Sequence, residues 1–304
     1  MKIIVLMGGN SSEKKVSMMT GKAVLEALKN QGIEAQSCIY NGEIENYFNQ
    51  LKDSDLVFIA LHGGDGENGK IQAFFEKEKI LYTGSNSITS RIAINKHLTK
   101  KIMLKNNIPT PEWKFFPELT FFKKYKDYNF RYPSVIKPNE EGSTFGISIV
   151  YSYQEVLDQI ETLREFDIKS GIIVENYIKG RELTLGILNN ISLPCIEIKA
   201  NNSYYDYNAK YFNQDTKYIC PAKLDQSQLS LISKYSILLN DQLGCLDYSR
   251  VDFRMDEKGN FYCLEINTLP GLTSKSLLPK AANQSNIKFN DLVLEICNLA
   301  LKRR

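Results

Sequence analysis

Apolar positions recur along the chain in two alternating rhythms. Residues 3–7 (IIVLM) are continuously apolar and read as a buried strand, and Gly8-Gly9-Asn10-Ser11-Ser12 breaks the run. Val16, Met19, Ala23, Val24, Ala27 and Leu28 then return at helical spacing until Gly32. Residues 33–39 and 55–61 predict two more strands, the second ending at His62-Gly63-Gly64. Strands alternating with helices predict a parallel sheet with helices on its faces, reaching to about residue 93.

The pattern then changes. Pro109, Pro111 and Pro117 punctuate the chain, and residues 123–126 read as a polar turn. Residues 133–138 (PSVIKP) and 145–151 (FGISIVY) predict short strands around a Gly/Ser loop, followed by a helix over 153–164. Residues 172–178 and 181–188 predict strands. Residues 201–220 are polar and Tyr-rich without a clean period, as expected of a functional lid. An amphipathic helix over 226–243 precedes a hairpin in which apolar and polar residues alternate on both arms.

Composition narrows the classes. The 304 residues suffice for two or three domains. A net charge of +3 gives no reason to expect nucleic acid or a membrane surface as partner. The C-terminal Leu301-Lys302-Arg303-Arg304 reads as a solvated tail. The opening apolar run is too short for a signal peptide, and no stretch approaches the ~18 apolar residues of a spanning helix. A cytoplasmic protein is expected. Six cysteines without a Cys-x-x-Cys pair read as buried free thiols, and two histidines, His62 and His97, do not predict a zinc site.

The hairpin carries the chemistry. A four-residue loop at 256–259 sets Met255 against Asn260, Asp252 against Cys263 and Arg250 against Glu265. Paired residues share a sheet face, so Arg250, Asp252, Glu265 and Asn267 project from one side. Asp252 and Glu265 become diagonal neighbours, roughly 7–8 Å apart at Cα. Their carboxylates can hold a pair of cations ~3.5–4 Å apart, and oxygen ligands suit Mg²⁺. The duller alternative is a polar face in water. Against it stand the ligand-type residues and the Gly/Pro turn NTLPGLT that follows. A one-residue slip in register would split the set. Two such ions imply a polyphosphate. The P-loop pattern is absent, but residues 140–146 (EEGSTFG) offer backbone N–H groups between two strands, with Lys137 before them.

Together these blocks resemble the ATP-grasp superfamily and, within it, the D-alanine–D-alanine ligase family. GGNSSEKKVS, LHGGDGENGKIQ, YTGS, VIKPNEEGSTFGI, VENYIKGRELTLGIL, YYDYNAKY…YICPA and YSRVDF…LEINTLPGLTSKSLLP are similar to successive family blocks over nearly the whole chain. The resemblance implies an α/β chain with an N-terminal Rossmann-like parallel-sheet domain (1–93). A two-subdomain ATP-grasp fold follows: 94–180 with the phosphate loop and adenine hinge, and 181–304 with the lid 201–220 and the metal hairpin 248–271. It implies ATP-dependent joining of two D-alanines through an acyl phosphate, giving D-alanyl-D-alanine for peptidoglycan synthesis by a cytoplasmic homodimer. It also implies residue roles. Lys96, Lys137 and Lys210 would hold ATP phosphates. Glu175, Tyr177, Ile178 and Glu182 would hold adenine and ribose. Asp252, Glu265 and Asn267 would bind two Mg²⁺ ions, with Mn²⁺ as an alternative. Arg250 and Gly271 would stabilise the oxyanion. Glu13 and His62 would receive the first D-alanine, with Ser143 and Tyr211 closing the site. Ser276 and Leu277 would receive the second D-alanine. Asn95 and Asn68 depart from the family's usual Asp.

Three rivals remain distinguishable. An oxidoreductase would carry a Gly-x-Gly-x-x-Gly turn, which Gly8-Gly9-Asn10-Ser11-Ser12-Glu13 lacks. A depsipeptide-forming ligase of the same superfamily would differ in the lid, where Lys210-Tyr211 resembles the dipeptide type. A non-catalytic nucleotide-binding regulator would have no reason to keep Arg250, Asp252, Glu265 and Asn267 together.

Overall fold

The computed structural model describes residues 1–119, 131–142, 145–166, 168–199 and 216–303. Ser143, Lys210 and Tyr211, the polar turn at 123–126 and residues 201–215 of the expected lid lie outside these.

Three sheets organise the chain. In the first, β1 (Lys2–Gly8) lies between β2 (Glu34–Tyr40) and β3 (Leu56–Ile59), all parallel, and Tyr82 extends the sheet by a bridge to Val57. Strand β1 is buried from Ile3 to Met7, as a strand covered on both faces must be. Helix α1 (Lys14–Asn30) crosses it closely: a Cβ on Gly21 would stand 2.5 Å from the Met7 Cβ. The short α2 (Phe48–Leu51) and α3 (Lys70–Glu78) complete this part.

The second sheet is antiparallel with order β4 (Trp113–Phe116), β7 (Ile172–Asn176), β5 (Ser134–Pro138), β6 (Ser148–Val150). Helix α6 (Tyr153–Arg164) covers it, and Val156, Ile160 and Leu163 pack on Ile136, Ile172 and Val174. The third sheet runs β11 (Lys217–Ile219), β10 (Ile196–Lys199), β8 (Gly180–Leu188), β12 (Tyr248–Asp256), β13 (Phe261–Asn267), with β9 (Ile191–Ser192) beside β8. Strand β11 makes regular structure of part of a segment expected to be irregular. Helix α7 (Gln226–Leu243) packs on this sheet. It starts with a reciprocal Asp225–Gln228 capping box and stops at Gly244, φ +70°.

Six helices gave no clear signal in the sequence: α2, α3, α4 (Ser87–Ile94), α5 (Lys96–Lys105), α8 (Leu277–Gln284) and α9 (Phe289–Leu301). Helix α5 shows why. Its buried positions are Lys96, Thr99, Lys100 and Met103, a helical stripe made mostly of polar side chains. Ala93, Met103 and Ile108 join the core of the third sheet beside Leu183, Val251 and Phe253. Helices α8 and α9 return to the start of the chain, where Leu278, Ala281, Leu292, Val293 and Ile296 share one core with β1 and with Leu188 and Tyr248 of the third sheet. No helix among the described residues is long and apolar enough to cross a membrane.

Lys302 and Arg303 are exposed, as expected of a solvated tail, but Arg303 is tethered. Arg303 pairs with Asp247, whose side chain is 2% exposed, and donates to Tyr82 O at 2.7 Å. The six cysteines are free thiols. Four are buried, and Cys220 and Cys245 are half-buried.

Candidate active site

The hairpin differs from its expected register. Asp256 is the last residue of β12 and its carboxylate accepts from the Lys258 and Asn260 N–H groups, with Gly259 at φ +87°. This tighter turn sets Met255 against Phe261 and Phe253 against Cys263, not Met255 against Asn260. Continued regularly, that pairing would carry Glu265 opposite Val251 and into the core. A β-bulge between Asp252 and Phe253 prevents this. Asp252 pairs with Glu265 directly and Arg250 with Asn267, so the four polar residues do share a face. The buried Val251, Phe253 and Met255 alternate with the half-buried Arg250, Asp252 and Arg254.

Asp252 is the most heavily bonded member. Arg250 donates to both its oxygens (2.9 and 2.8 Å), Asn267 Nδ2 to one (3.1 Å) and Thr184 Oγ1 of β8 to the other (2.6 Å). Glu265 lies 3.7 Å from the Lys96 ammonium. Among the described residues no three carboxylate, imidazole or thiolate groups converge. The hairpin therefore offers two directly paired carboxylates and an amide. These oxygen donors fit a hard divalent cation that takes its other ligands from phosphate and water.

Two clefts meet at this face. One, about 770 Å³, lies between the second and third sheets and is lined by Lys137, Glu175, Tyr177, Ile178, Glu182, Asp252, Arg254 and Glu265, with Val135, Ile147, Ile149 and Leu264 as apolar walls. The other, about 940 Å³, is lined by Glu13, His62, Gly142, Arg250, Glu265, Asn267, Gly271, Ser276 and Leu277. Glu265 lines both. The structure thus gathers the described candidate residues into two adjoining cavities, with the buried Lys96 at their junction, donating to Glu141 O at 2.7 Å.

In the second cleft Glu13 is buried at the start of α1. Its Oε2 would lie 2.7 Å from a Cβ on Gly63 and 3.0 Å from one on Gly142, so both glycines clear space for the carboxylate. His62 Nε2 is 2.8 Å from Thr20 Oγ1, and its Nδ1 is 3.7 Å from Glu67. Ser276, at the start of α8, accepts from the Thr273 N–H at 3.0 Å. A Cβ on Gly271 would stand 2.9 Å from its Oγ.

In the first cleft the nucleotide candidates are held from behind. Glu175 is gripped by two lysines, Lys137 at 2.5 Å and Lys100 at 2.8 Å. Burial alone would raise the Glu175 carboxyl, but the two ammonium groups override it and bring it down to about 2. Burial pushes the Lys100 and Lys96 ammoniums down, opposed by Glu175 and Glu265 respectively. Arg254 ties the hinge, donating to Ile178 O (3.1 Å), Gly180 O (3.0 Å) and Glu182 (3.3 Å). His97 is not a free surface residue: it stacks on Phe115 and accepts from Trp113 Nε1 at 3.1 Å.

Sequence reasoning missed Lys100, Arg254, Thr184 and Thr20. Two of them had a signal. Lys100 falls one helical turn after Lys96, and Arg254 is two residues beyond Asp252 on the same strand face. The Asn95 departure has a local reason. Its amide donates to Glu140 at 2.5 Å while its oxygen caps Leu98 N–H at 3.0 Å. An Asp there would oppose a second carboxylate. Asn68 accepts from Lys70 N–H, which an Asp would do equally well.

Comparison with known proteins shows the family. Residues 35–85 match the D-ala D-ala ligase N-terminus family and residues 102–298 the D-ala D-ala ligase C-terminus family. The D-alanine–D-alanine ligase of Saccharophagus degradans is 40% identical over 295 residues, 97% of this chain and 93% of that protein. A Bacillus anthracis D-alanine–D-alanine ligase crystal structure, complexed with ATP, superposes with TM-score 0.85 at 34% identity, covering 100% of this chain and 98% of that one. The VanG D-Ala:D-Ser ligase of Enterococcus faecalis gives TM-score 0.85 at 28% identity, covering 98% and 99%. With a Rossmann-like sheet followed by two antiparallel sheets around paired carboxylates, the chain belongs to the D-alanine–D-alanine ligase family of ATP-grasp enzymes.

Proposed function

We propose that this protein uses ATP to join two D-alanine molecules, giving D-alanyl-D-alanine, ADP and phosphate for peptidoglycan synthesis. The observation that carries the reading is the pair of adjoining clefts with Glu265 in both walls. One has apolar walls, a backbone hinge and Lys137, as a nucleotide requires. The other has a buried acid at one end and a serine at a helix start at the other, as amino acids require.

The first D-alanine seats its ammonium at Glu13, with His62 beside it. Its carboxylate attacks the γ-phosphate, giving an acyl phosphate and ADP. The second D-alanine, its carboxylate at Ser276 and Leu277, attacks the acyl carbon through its amine. The tetrahedral intermediate collapses to dipeptide and phosphate. Lys96 and Lys137 position the phosphates, while Glu175, Tyr177, Ile178 and Glu182 position adenine and ribose. Arg250 and the Gly271 N–H face the second cleft, where charge develops on the acyl oxygen. Preorganised donors of this kind contribute ~3–4 kcal/mol each in other enzymes. Asp252, Glu265 and Asn267 would hold Mg²⁺, or Mn²⁺, which neutralises phosphate charge during transfer. Ser143, Lys210 and Tyr211 are assigned to closure of the site, which keeps water from the acyl phosphate. The unit boundaries at 93 and 180, a cytoplasmic site of action and a homodimer belong to the same proposal and rest on the family resemblance.

The test follows ADP and product from pure protein with Mg-ATP and D-alanine, D-serine, L-alanine or D-lactate. Dipeptide from D-alanine is expected, and Glu265→Ala is expected to lose phosphate release. Near-normal turnover in that variant would remove the metal assignment.

A further inference from the structure

Lys100 is 0% exposed, yet it carries an ammonium group and lines neither cleft. It lies behind Glu175, on the side away from the nucleotide cavity. Lys137 and Lys100 grip opposite oxygens of that carboxylate, Oε1 and Oε2. Their surroundings differ. Lys100 also donates to Thr110 Oγ1 (2.6 Å) and Pro111 O (3.4 Å), and its ammonium stands 5.4 Å from the Trp113 ring centroid. It is fixed on every side. Lys137 borders the open cleft, and among the described residues Glu175 is the acceptor it meets.

We propose that Lys100 is a positioning residue that frees Lys137 for the polyphosphate. This deepens the nucleotide reading given above and rests on it. Lys137 is paired with Glu175 at 2.5 Å. To bind phosphate it must move off. Glu175 is 4% exposed, so if Lys137 were its only neutralising partner, that move would strand a buried charge. With Lys100 in place the carboxylate keeps a counter-ion while Lys137 swings across, and Glu175 stays ionised and fixed beside the adenine position. One acid served by two bases thus lets one base change partners. A lone Lys137–Glu175 pair would hold the lysine back from its ligand.

The test is a double-mutant cycle on the full chain, reading Mg-ATP affinity by titration calorimetry and by Trp113 fluorescence, with steady-state KM for ATP and for D-alanine. Lys100→Met is expected to weaken ATP roughly 100-fold, the scale of an uncompensated buried charge, while the D-alanine KM stays within about twofold. Adding Glu175→Gln removes the charge that traps Lys137, and ATP affinity is expected to recover at least about tenfold. A packing defect would not recover. Native ATP affinity in Lys100→Met, or a double variant as weak as the single, overturns the proposal. Where Lys100→Met shows no melting transition, Glu175→Gln is compared with the double variant. Affinities within about threefold support the partner exchange, and a tenfold gap overturns it. Wild-type protein that binds ATP but makes no dipeptide overturns the ligase reading and leaves the exchange standing, whereas wild-type protein that binds no ATP overturns both.

Discussion

Replacing Arg254 by methionine tests how the hinge is held. The arginine is 14% exposed in its side chain and makes donations at 3.0, 3.1 and 3.3 Å to Gly180 O, Ile178 O and Glu182. It also lies over Tyr177, 5.6 Å from the ring centroid. Methionine keeps much of the apolar stem and removes all of these. A charge-assisted hydrogen bond contributes about 1.5–3 kcal/mol net. The donation to Glu182 is long, so the low end applies. In the proposed complex Glu182 serves the ribose hydroxyls. Losing its orientation should therefore cost ATP binding about 1.5 kcal/mol, roughly tenfold in KM. A nucleotide without the 2′-hydroxyl never used that part of the interaction. The assay compares KM for ATP and 2′-deoxy-ATP in wild type and variant, with a thermal melt as folding control. Preference for ATP should shrink several-fold in Arg254→Met. A folded variant in which both nucleotides weaken equally, or in which the ratio stays at the wild-type value, would refute the claim that Arg254 acts through Glu182.

Two further outcomes concern stability. The Glu175 carboxyl falls from 4.5 in ordinary surroundings to about 2 in the fold. Its contribution, on the order of 3 kcal/mol, is fully present above pH ~4.5 and lost as pH falls toward 2. Urea midpoints should drop across that window, and Glu175→Gln should flatten the drop; an unchanged slope would contradict the ion-pair account. Arg303→Ala should destabilise the protein by about 1–3 kcal/mol at pH 7, because the side chain of Asp247 is left buried without its cation. Burial already raises the Asp247 carboxyl against the pull of Arg303, so without Arg303 it takes up a proton more readily. The deficit should therefore narrow as pH falls toward 5, and a pH-independent loss would point to packing instead.

Much of this protein was legible as sequence because its information is local. The apolar run 3–7, the helical spacing from Val16 to Leu28 and the amphipathic period over 226–243 each act within one element and need no partner to be recognised. The polar face of the hairpin was legible for the same reason: β-strands alternate sides, so Arg250, Asp252, Glu265 and Asn267 could be placed together from two arms and a turn. The register was not. A turn one residue tighter and a compensating bulge lead to the same face by another route, and both depend on what β12 meets across the sheet. Helix α5 was hidden because its inner stripe is charged, and charge on an inner face is tolerated only where partners await it. Those partners are distant in sequence: Glu175 lies 75 residues beyond Lys100, and Arg303 closes on Asp247 from the other end of the last helix pair. Backbone preference and apolar periodicity are properties of neighbouring residues, so the sequence by itself determined the elements with a clear apolar period and the chemistry the hairpin could carry. A buried charge is stable only beside its counter-charge, and which residues meet in that way was decided by the tertiary structure alone.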